Sequence, residues 1–151
     1  MKYLLLLLCF SALGQADFEK NLQKRLILAE DGSTIEIEAG RFQLTKSLSL
    51  EGKKNITLRG KGIDQTILSF KGQTQGAEGI KVSNCENIVI EDMTTEDSKG
   101  DLIKTMQVKG ITFRRLKAAW TGGPKSTNGS YALYPVLCEN VLIDSCIAIG
   151  A

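Results

Sequence analysis

Histidine is absent from the sequence, and its absence limits the chemistry that the chain can perform. None of the 151 residues is a histidine. This excludes catalytic triads built on histidine, the common zinc sites and acid/base catalysis by an imidazole. Any catalysis would have to use aspartate, glutamate, lysine, arginine or tyrosine.

The chain also lacks a block of like charges and, after its first residues, any long apolar run. It has 19 Lys and Arg against 17 Asp and Glu, which gives a formal net charge of +2. This balance argues against nucleic acid as a main partner. No later apolar stretch is long enough to cross a bilayer, so no membrane span is expected.

Residues 1–16 have the pattern of a secretory signal peptide. Lys2 forms a short basic region, an apolar run covers residues 3–13, and small residues precede a plausible cleavage point after Ala16. We therefore predict export to the periplasm or the extracellular space, with cleavage near Ala16.

A short strand pattern recurs four times in the rest of the chain, at spacings of 32, 23 and 30 residues. The first and third residues after the opening residue of each copy are apolar, as in a strand with one buried face. Repeats of this length are typical of solenoids, whose units bury their apolar faces on their neighbours. The copies are NITLRG from Asn55, NIVIED from Asn87, GITFRR from Gly110 and NVLIDS from Asn140.

The opening residue of each copy, called here the anchor, predicts a sharp corner. Asparagine and glycine are the residues that best tolerate a left-handed backbone. Two further apolar columns accompany the anchored strands, so that each turn contains three short strands. This pattern predicts an all-β parallel β-helix with rungs about 4.8 Å apart. The further columns are Leu48, Ile80, Ile103 and Leu133 before the anchors and Met93, Leu116 and Cys146 after them.

The outward residues four positions past the anchors alternate in sign. If the rungs stack in this register, every neighbour is an opposite charge, and each pair contributes only about 0.2 to 1 kcal/mol. The alternation supports the register and does not indicate a functional site. The residues are Arg59, Glu91, Arg114 and Asp144.

The flanks of the repeats predict how the solenoid begins and ends. Apolar residues at helical spacing predict an α-helix over residues 17–31 that covers the first rung. Residues 32–151 are expected to form rungs. The chain stops within a rung, so we expect it to be a truncated part of a longer protein. The apolar residues of the helix are Phe18, Leu22, Leu26 and Ala29.

Cys85 and Cys138 open two similar segments, CENIVIE and CENVLID. Each cysteine lies two residues before an anchor, and Val108 takes the same position in the rung between them. Two rungs would separate the cysteines by roughly 9 to 10 Å, whereas a disulfide needs Cα atoms within about 7 Å. We predict that both are small buried fillers and not a metal or redox pair.

The predicted capping helix, STIEIEAGRF, LRGKGIDQTILSF and the anchored repeats together resemble the right-handed parallel β-helix proteins of the pectin-lyase-like superfamily. The segment from Trp120 to Ala151 looks like the exported bacterial β-helix repeat-containing proteins, known as the PbH1 type. The resemblance implies a right-handed solenoid whose outer strand face binds polysaccharide. The catalytic clusters of the superfamily's enzymes have no match here.

Two columns of outward residues follow the strand face that this resemblance implies. Glu78 and Asp101 would lie about 5 Å apart, a separation that glycosidases exploit. With Lys104 they are the catalytic candidates. Lys81 and Lys104 would bind a uronic acid carboxylate. The columns are Lys46, Glu78, Asp101 and Tyr131, and Ser49, Lys81, Lys104 and Tyr134; the aromatic candidates for stacking on a sugar are Trp120, Tyr131 and Tyr134.

Extra residues in two rungs predict loops at 71–79 and 121–129, which would project from one corner and wall a groove. Asp92, Asp97 and Asp101 are candidates for calcium ligands, in a spacing that differs from that of an EF-hand loop. No other cofactor is evident.

Three functions remain open. The first is binding of an anionic polysaccharide along the outer strand face. The second is a non-catalytic surface scaffold or interaction module. The third is a polysaccharide lyase, hydrolase or epimerase whose active rungs lie beyond residue 151.

Overall fold

The computed structural model describes residues 12–151, which form one helix followed by twelve strands. The predicted signal peptide lies mostly outside the described residues. The elements are α1 (Ala12–Leu28), β1 (Thr34–Glu36), β2 (Gly40–Gln43), β3 (Lys46–Glu51), β4 (Thr57–Arg59), β5 (Thr66–Ser69), β6 (Gln75–Ser83), β7 (Glu86–Glu96), β8 (Ile103–Met106), β9 (Lys109–Ala119), β10 (Leu133–Val136), β11 (Glu139–Asp144) and β12 (Ile147–Ile149).

The strands form two parallel sheets that wind into a solenoid of about four turns. Sheet B contains β3, β6, β8 and β10, and sheet A contains the other eight strands. β7 and β9 each continue through a bend and so supply two faces of the solenoid. The predicted all-β parallel β-helix with an N-terminal helix is confirmed.

The anchors occupy corners, as predicted. Asn55, Asn87, Gly110 and Asn140 have φ of 56°, 52°, 81° and 53°, which is the left-handed region that asparagine and glycine tolerate. The Asn87 amide Nδ2 donates to Asn55 Oδ1 at 3.1 Å, so the side chains also bridge the rungs. At Gly110 an added Cβ would lie 2.7 Å from Asn87 Oδ1, so a side chain there would displace the Asn87 amide as well as strain the backbone.

The predicted inward columns form one continuous core. Ile80 pairs with Leu48 and Ile103, and Met93 pairs with Leu116, in the expected register. The predicted register of the cysteine column is confirmed, since Lys109 N donates to Cys85 O and Glu139 N donates to Val108 O, both at 3.0 Å. Cys85 is buried as expected, whereas Cys138 is only partly buried. Cys85, Cys138 and Cys146 form no disulfide. Burial raises the pKa of the Cys85 thiol, which disfavours the reactive thiolate.

Helix α1 covers the first rung, and it does so through hydrogen bonds as well as apolar contact. Leu22 and Leu26 are 1% exposed. Gln23 donates to Ser49 O at 2.9 Å and accepts from Ser49 N at 2.8 Å, while Glu19 accepts from Thr45 N at 2.6 Å. These side chains satisfy backbone groups of Ser49 in the edge strand β3 and of Thr45 directly before it, which would otherwise be open to another strand.

The bounds of α1 differ from the prediction of residues 17–31. The helix includes Ala12 and ends at Leu28, because the chain turns where Ser33 N donates to Glu30 O and Gly32 adopts φ of 87°. Among residues 12–151, no helix is long and apolar enough to cross a membrane.

The predicted charge column is confirmed and is longer than the sequence indicated. Arg59 pairs in register with both Glu36 and Glu91, and Arg114 pairs with Glu91 and Asp144. A second alternating column, directly before the anchors, escaped the sequence reasoning. It contains Lys54, Glu86, Lys109 and Glu139, and its first pair forms an ion pair of 3.2 Å.

Candidate functional site

The outer face of sheet B and its margin bring together six of the seven sequence-predicted catalytic and substrate-binding residues, all except Trp120. Ser49 pairs with Lys81, Lys81 with Lys104, and Lys104 with Tyr134, in the predicted register. Side chains of one face point the same way from rung to rung in a parallel sheet. The two lysines are therefore direct neighbours on the outside of the solenoid.

Lys104 lies at the centre of a small cluster of side chains. Its Nζ is 3.6 Å from Glu78 Oε1 and 5.5 Å from the centroid of the Tyr134 ring. The Tyr131 and Tyr134 rings stack, with centroids 4.2 Å apart and planes inclined by 20°. Tyr131 is 49% exposed. The cluster therefore presents an ammonium group, a carboxylate and an accessible aromatic surface side by side.

The two candidate catalytic carboxylates have separate partners. Glu78 faces Lys104, whereas Asp101 Oδ1 accepts a hydrogen bond from Tyr131 N at 3.2 Å. Asp101 thus holds the backbone of the following rung, whereas Glu78 pairs with a lysine on its own face. This geometry supports a binding face more than a pair of catalytic acids.

Two predictions about the margin of this face are wrong. The sequence predicts Lys46 in one column with Glu78, but Lys46 pairs with Gln75, and the register shifts between Lys46 and Leu48. The predicted loop at 71–79 is shorter than expected, because residues from Gln75 onward belong to β6. The extra residues of this rung form an irregularity in the pairing of β3 with β6. Of the two predicted loops, only 121–129 lies wholly outside the strands.

The prediction that Trp120 stacks on a sugar is also wrong. Trp120 is 4% exposed and packs against Leu102, Ala118 and Ala132. Its indole Nε1 donates to Ser98 O at 3.0 Å, so the one polar group of the ring is already satisfied. The large ring fills the space beside two short alanine side chains and serves the core.

The three candidate calcium ligands are not brought together. Asp92 accepts from Arg115 Nε at 2.6 Å and Nη2 at 2.7 Å, while Asp97 accepts from Thr121 N and Oγ1, both at 2.7 Å. The Arg115 hydrogen bonds hold the pKa of Asp92 below its ordinary value. Within the described part of the chain, no group of three Cys, Asp or Glu residues is arranged to hold a metal ion.

Gln73 positions the site and was missed by the sequence reasoning. It is 2% exposed, and its Nε2 donates to Glu78 O at 2.8 Å while its Oε1 accepts from Lys99 N at 3.2 Å. It therefore fixes the backbone that carries Glu78. A glutamine within a segment rich in turn residues gives no sequence signal for such a role.

Comparison with known proteins assigns neither a family nor an activity to the chain. No protein-family model matches the chain, and no curated protein matches it. Its structure is similar to the crystal structure of a provisionally assigned glycosyl hydrolase from Parabacteroides merdae. The two share 14% sequence identity over 91% of this chain and 89% of that chain, with a TM-score of 0.48. At this level of similarity, nothing about the activity of that protein carries over.

Proposed function

We propose that the protein is an exported parallel β-helix protein of the pectin-lyase-like type that binds an anionic polysaccharide along the outer face of sheet B. The observation that carries this proposal is the register pair of Lys81 and Lys104. Like charges directly opposite each other destabilise a sheet. An anionic ligand that bridges both lysines would remove that repulsion.

The ion pairs of the two lysines also favour an anionic ligand. Glu78 lies near Lys104, but no ion pair within residues 12–151 involves Lys81. A carboxylate on a sugar would be attracted to Lys81 first, and the neighbouring Lys104 would add to the attraction. Hydrogen bonds to charged groups contribute about 1.5 to 3 kcal/mol each.

The lysines would bind the carboxylate of a sugar, and the Tyr131 and Tyr134 pair would bind its ring. Aromatic rings combine a large apolar face with a polar hydroxyl, which suits a ligand with one apolar face and many hydroxyl groups. Tyr134 lies on the rung next to Lys104, and Tyr131 stacks against Tyr134 while remaining half exposed. A sugar ring on Tyr131 would therefore place its substituents near the lysines.

The proposal is tested by titrating oligouronates into the protein and measuring heat release, with neutral oligosaccharides of the same length for comparison. We expect the uronates to bind more tightly, with an affinity that falls as salt rises. Lys104→Gln should weaken uronate binding about tenfold, in line with the loss of one charged contact. Tyr131→Ala should weaken binding of every oligosaccharide that binds.

Arg114→Gln is the matched control, because it removes one positive charge from the outer face of sheet A, where Arg114 lies between Glu91 and Asp144. It should leave uronate affinity unchanged. Equal loss of affinity in Lys104→Gln and Arg114→Gln would show that only net charge matters. Absence of binding to any anionic oligosaccharide would refute the proposed function.

The signal-peptide pattern of residues 1–16 supports the proposal that the protein is exported. Expression in a bacterium with subsequent fractionation should place the protein outside the cytoplasm. N-terminal sequencing should then find Asp17 as the first residue. A cytoplasmic product that retains Met1 would contradict export without affecting the binding proposal.

A further inference from the structure

A large groove lies between helix α1 and the edge strand β3, away from the tyrosine cluster. The cavity has a volume of about 820 Å³, within the range of roughly 300 to 1,000 Å³ that is usual for small-molecule sites. Ile27 and Leu28 of α1 form its apolar wall, and the buried core residue Leu48 borders it. We call this cavity the α1–β3 groove.

The apolar wall of the groove is not explained by the packing of α1. Leu22 and Leu26 already attach the helix to the first rung and are 1% exposed, whereas Ile27 and Leu28 are 60% and 64% exposed. Two large apolar side chains side by side at the last turn of a helix, bordering a cavity, are typical of a surface that another molecule covers.

The charges at the groove are predominantly positive. Lys20, Lys24 and Lys46 line it, and within the described residues none of the three forms an ion pair. The acidic side chain in the groove, Glu19, is committed to the backbone and hydroxyl of Thr45. The complementary ligand therefore combines an apolar body with a negative charge.

The hydrogen bonds of β3 argue against a peptide strand as the occupant. Strand addition needs free backbone groups on an edge. Here Gln23 occupies both the N–H and the C=O of Ser49, and Glu19 occupies the N–H of Thr45. An occupant without backbone hydrogen bonds fits the groove better than an added strand.

From the cavity, its exposed apolar wall and its lysines, we propose that the α1–β3 groove binds a free fatty acid. The acyl chain lies along Ile27 and Leu28, and the carboxylate lies among Lys20, Lys24 and Lys46. The groove borders β3 at the edge of sheet B and shares no lining residue with the Lys81, Lys104 and tyrosine cluster, so its test does not depend on the proposed glycan binding.

The test is calorimetric titration of the protein with dodecanoate below its micelle concentration, and with dodecyltrimethylammonium as the probe with the same chain and the opposite charge. Dodecanoate should bind at one site, and the cationic probe should bind at least about tenfold more weakly. The double variant Ile27→Gln/Leu28→Gln should weaken dodecanoate binding at least about tenfold, because it removes the apolar wall. Lys20→Gln/Lys24→Gln should weaken binding of dodecanoate but not of the cationic probe.

Leu137→Gln is the matched control, since Leu137 is 76% exposed and lies outside the groove. All substituted side chains are largely exposed, so thermal unfolding should confirm that the variants fold. Equal binding of the two probes, or unchanged binding in the Ile27→Gln/Leu28→Gln variant, would overturn the proposal. So would binding only to anionic phospholipid vesicles, or sedimentation showing a dimer that this variant dissociates, because the occupant would then be a membrane surface or a second copy.

Discussion

On the outer face of sheet A, the ladder that runs from Glu36 to Asp144 places each charge against an opposite one, whereas the outer face of sheet B places Lys81 beside Lys104. On sheet A, Glu91 is the centre of the ladder. Its carboxylate is 2.6 Å from Arg59 Nε, 3.3 Å from Arg115 Nη2 and 3.8 Å from Arg114 Nη1. Both faces have the same parallel register, so the difference lies in the side chains that the rungs present.

This difference separates structural charges from charges that are available for binding. A ladder of opposite charges contributes modestly to stability and leaves little attraction for an outside ion. Adjacent like charges cost stability unless an ion bridges them. Sheet B is therefore the face where an anionic ligand would gain most, and sheet A is the face where substitutions should act on folding.

The largest effect on this comparison is expected from Glu91→Gln on sheet A. Glu91 is 4% exposed and holds three arginines. Removal of its charge should lower the free energy of unfolding by about 2 to 3 kcal/mol, below the ~3 to 5 kcal/mol of a fully buried pair because the arginines are partly exposed. Denaturant unfolding followed by circular dichroism measures this loss.

Glu78→Gln on sheet B is the matched substitution for that experiment. Its side chain is 22% exposed, and its ion pair with Lys104 is 3.6 Å long. It should cost less than about 1 kcal/mol, the range of weakly buried pairs. Similar losses for Glu78→Gln and Glu91→Gln would mean that the two faces do not differ in the way proposed here.

The fold was predictable because its signals repeat from rung to rung. Asn55, Asn87 and Asn140 mark a corner, and the apolar alternation after each of them gives the inward face, so that errors in one rung are corrected by the others. The column of Cys85, Val108 and Cys138 has the register that the sequence predicts. The bounds of α1 were less certain, since a single helix has no second copy for comparison.

The candidate site was only partly predictable, because side-chain partners do not repeat. Register placed Lys81, Lys104 and Tyr134 correctly. It could not show that Trp120 turns into the core. Nor could it show that Asp101 binds the backbone of Tyr131. These outcomes depend on local space and on hydrogen bonds that each rung makes differently.

The smallest expected effect concerns the pH dependence of the sheet A ladder, through Asp92. Hydrogen bonds from Arg115 hold the pKa of Asp92 below its ordinary value of 3.8. A carboxyl whose pKa is lowered by folding stabilises the native state above its unfolded pKa, and this contribution disappears as the pH falls through the folded pKa. Asp92→Asn, which suits the left-handed φ of 59° at this corner, should therefore be less stable than the native protein at pH 6. The difference should shrink as the pH falls below about 4.

Denaturant unfolding from pH 6 to pH 3 measures this difference in stability, with the exposed Asp64→Asn as the control. Unfolding free energies of the native protein and Asp92→Asn that stay parallel across that range would show that the Asp92–Arg115 pair adds nothing to the ladder.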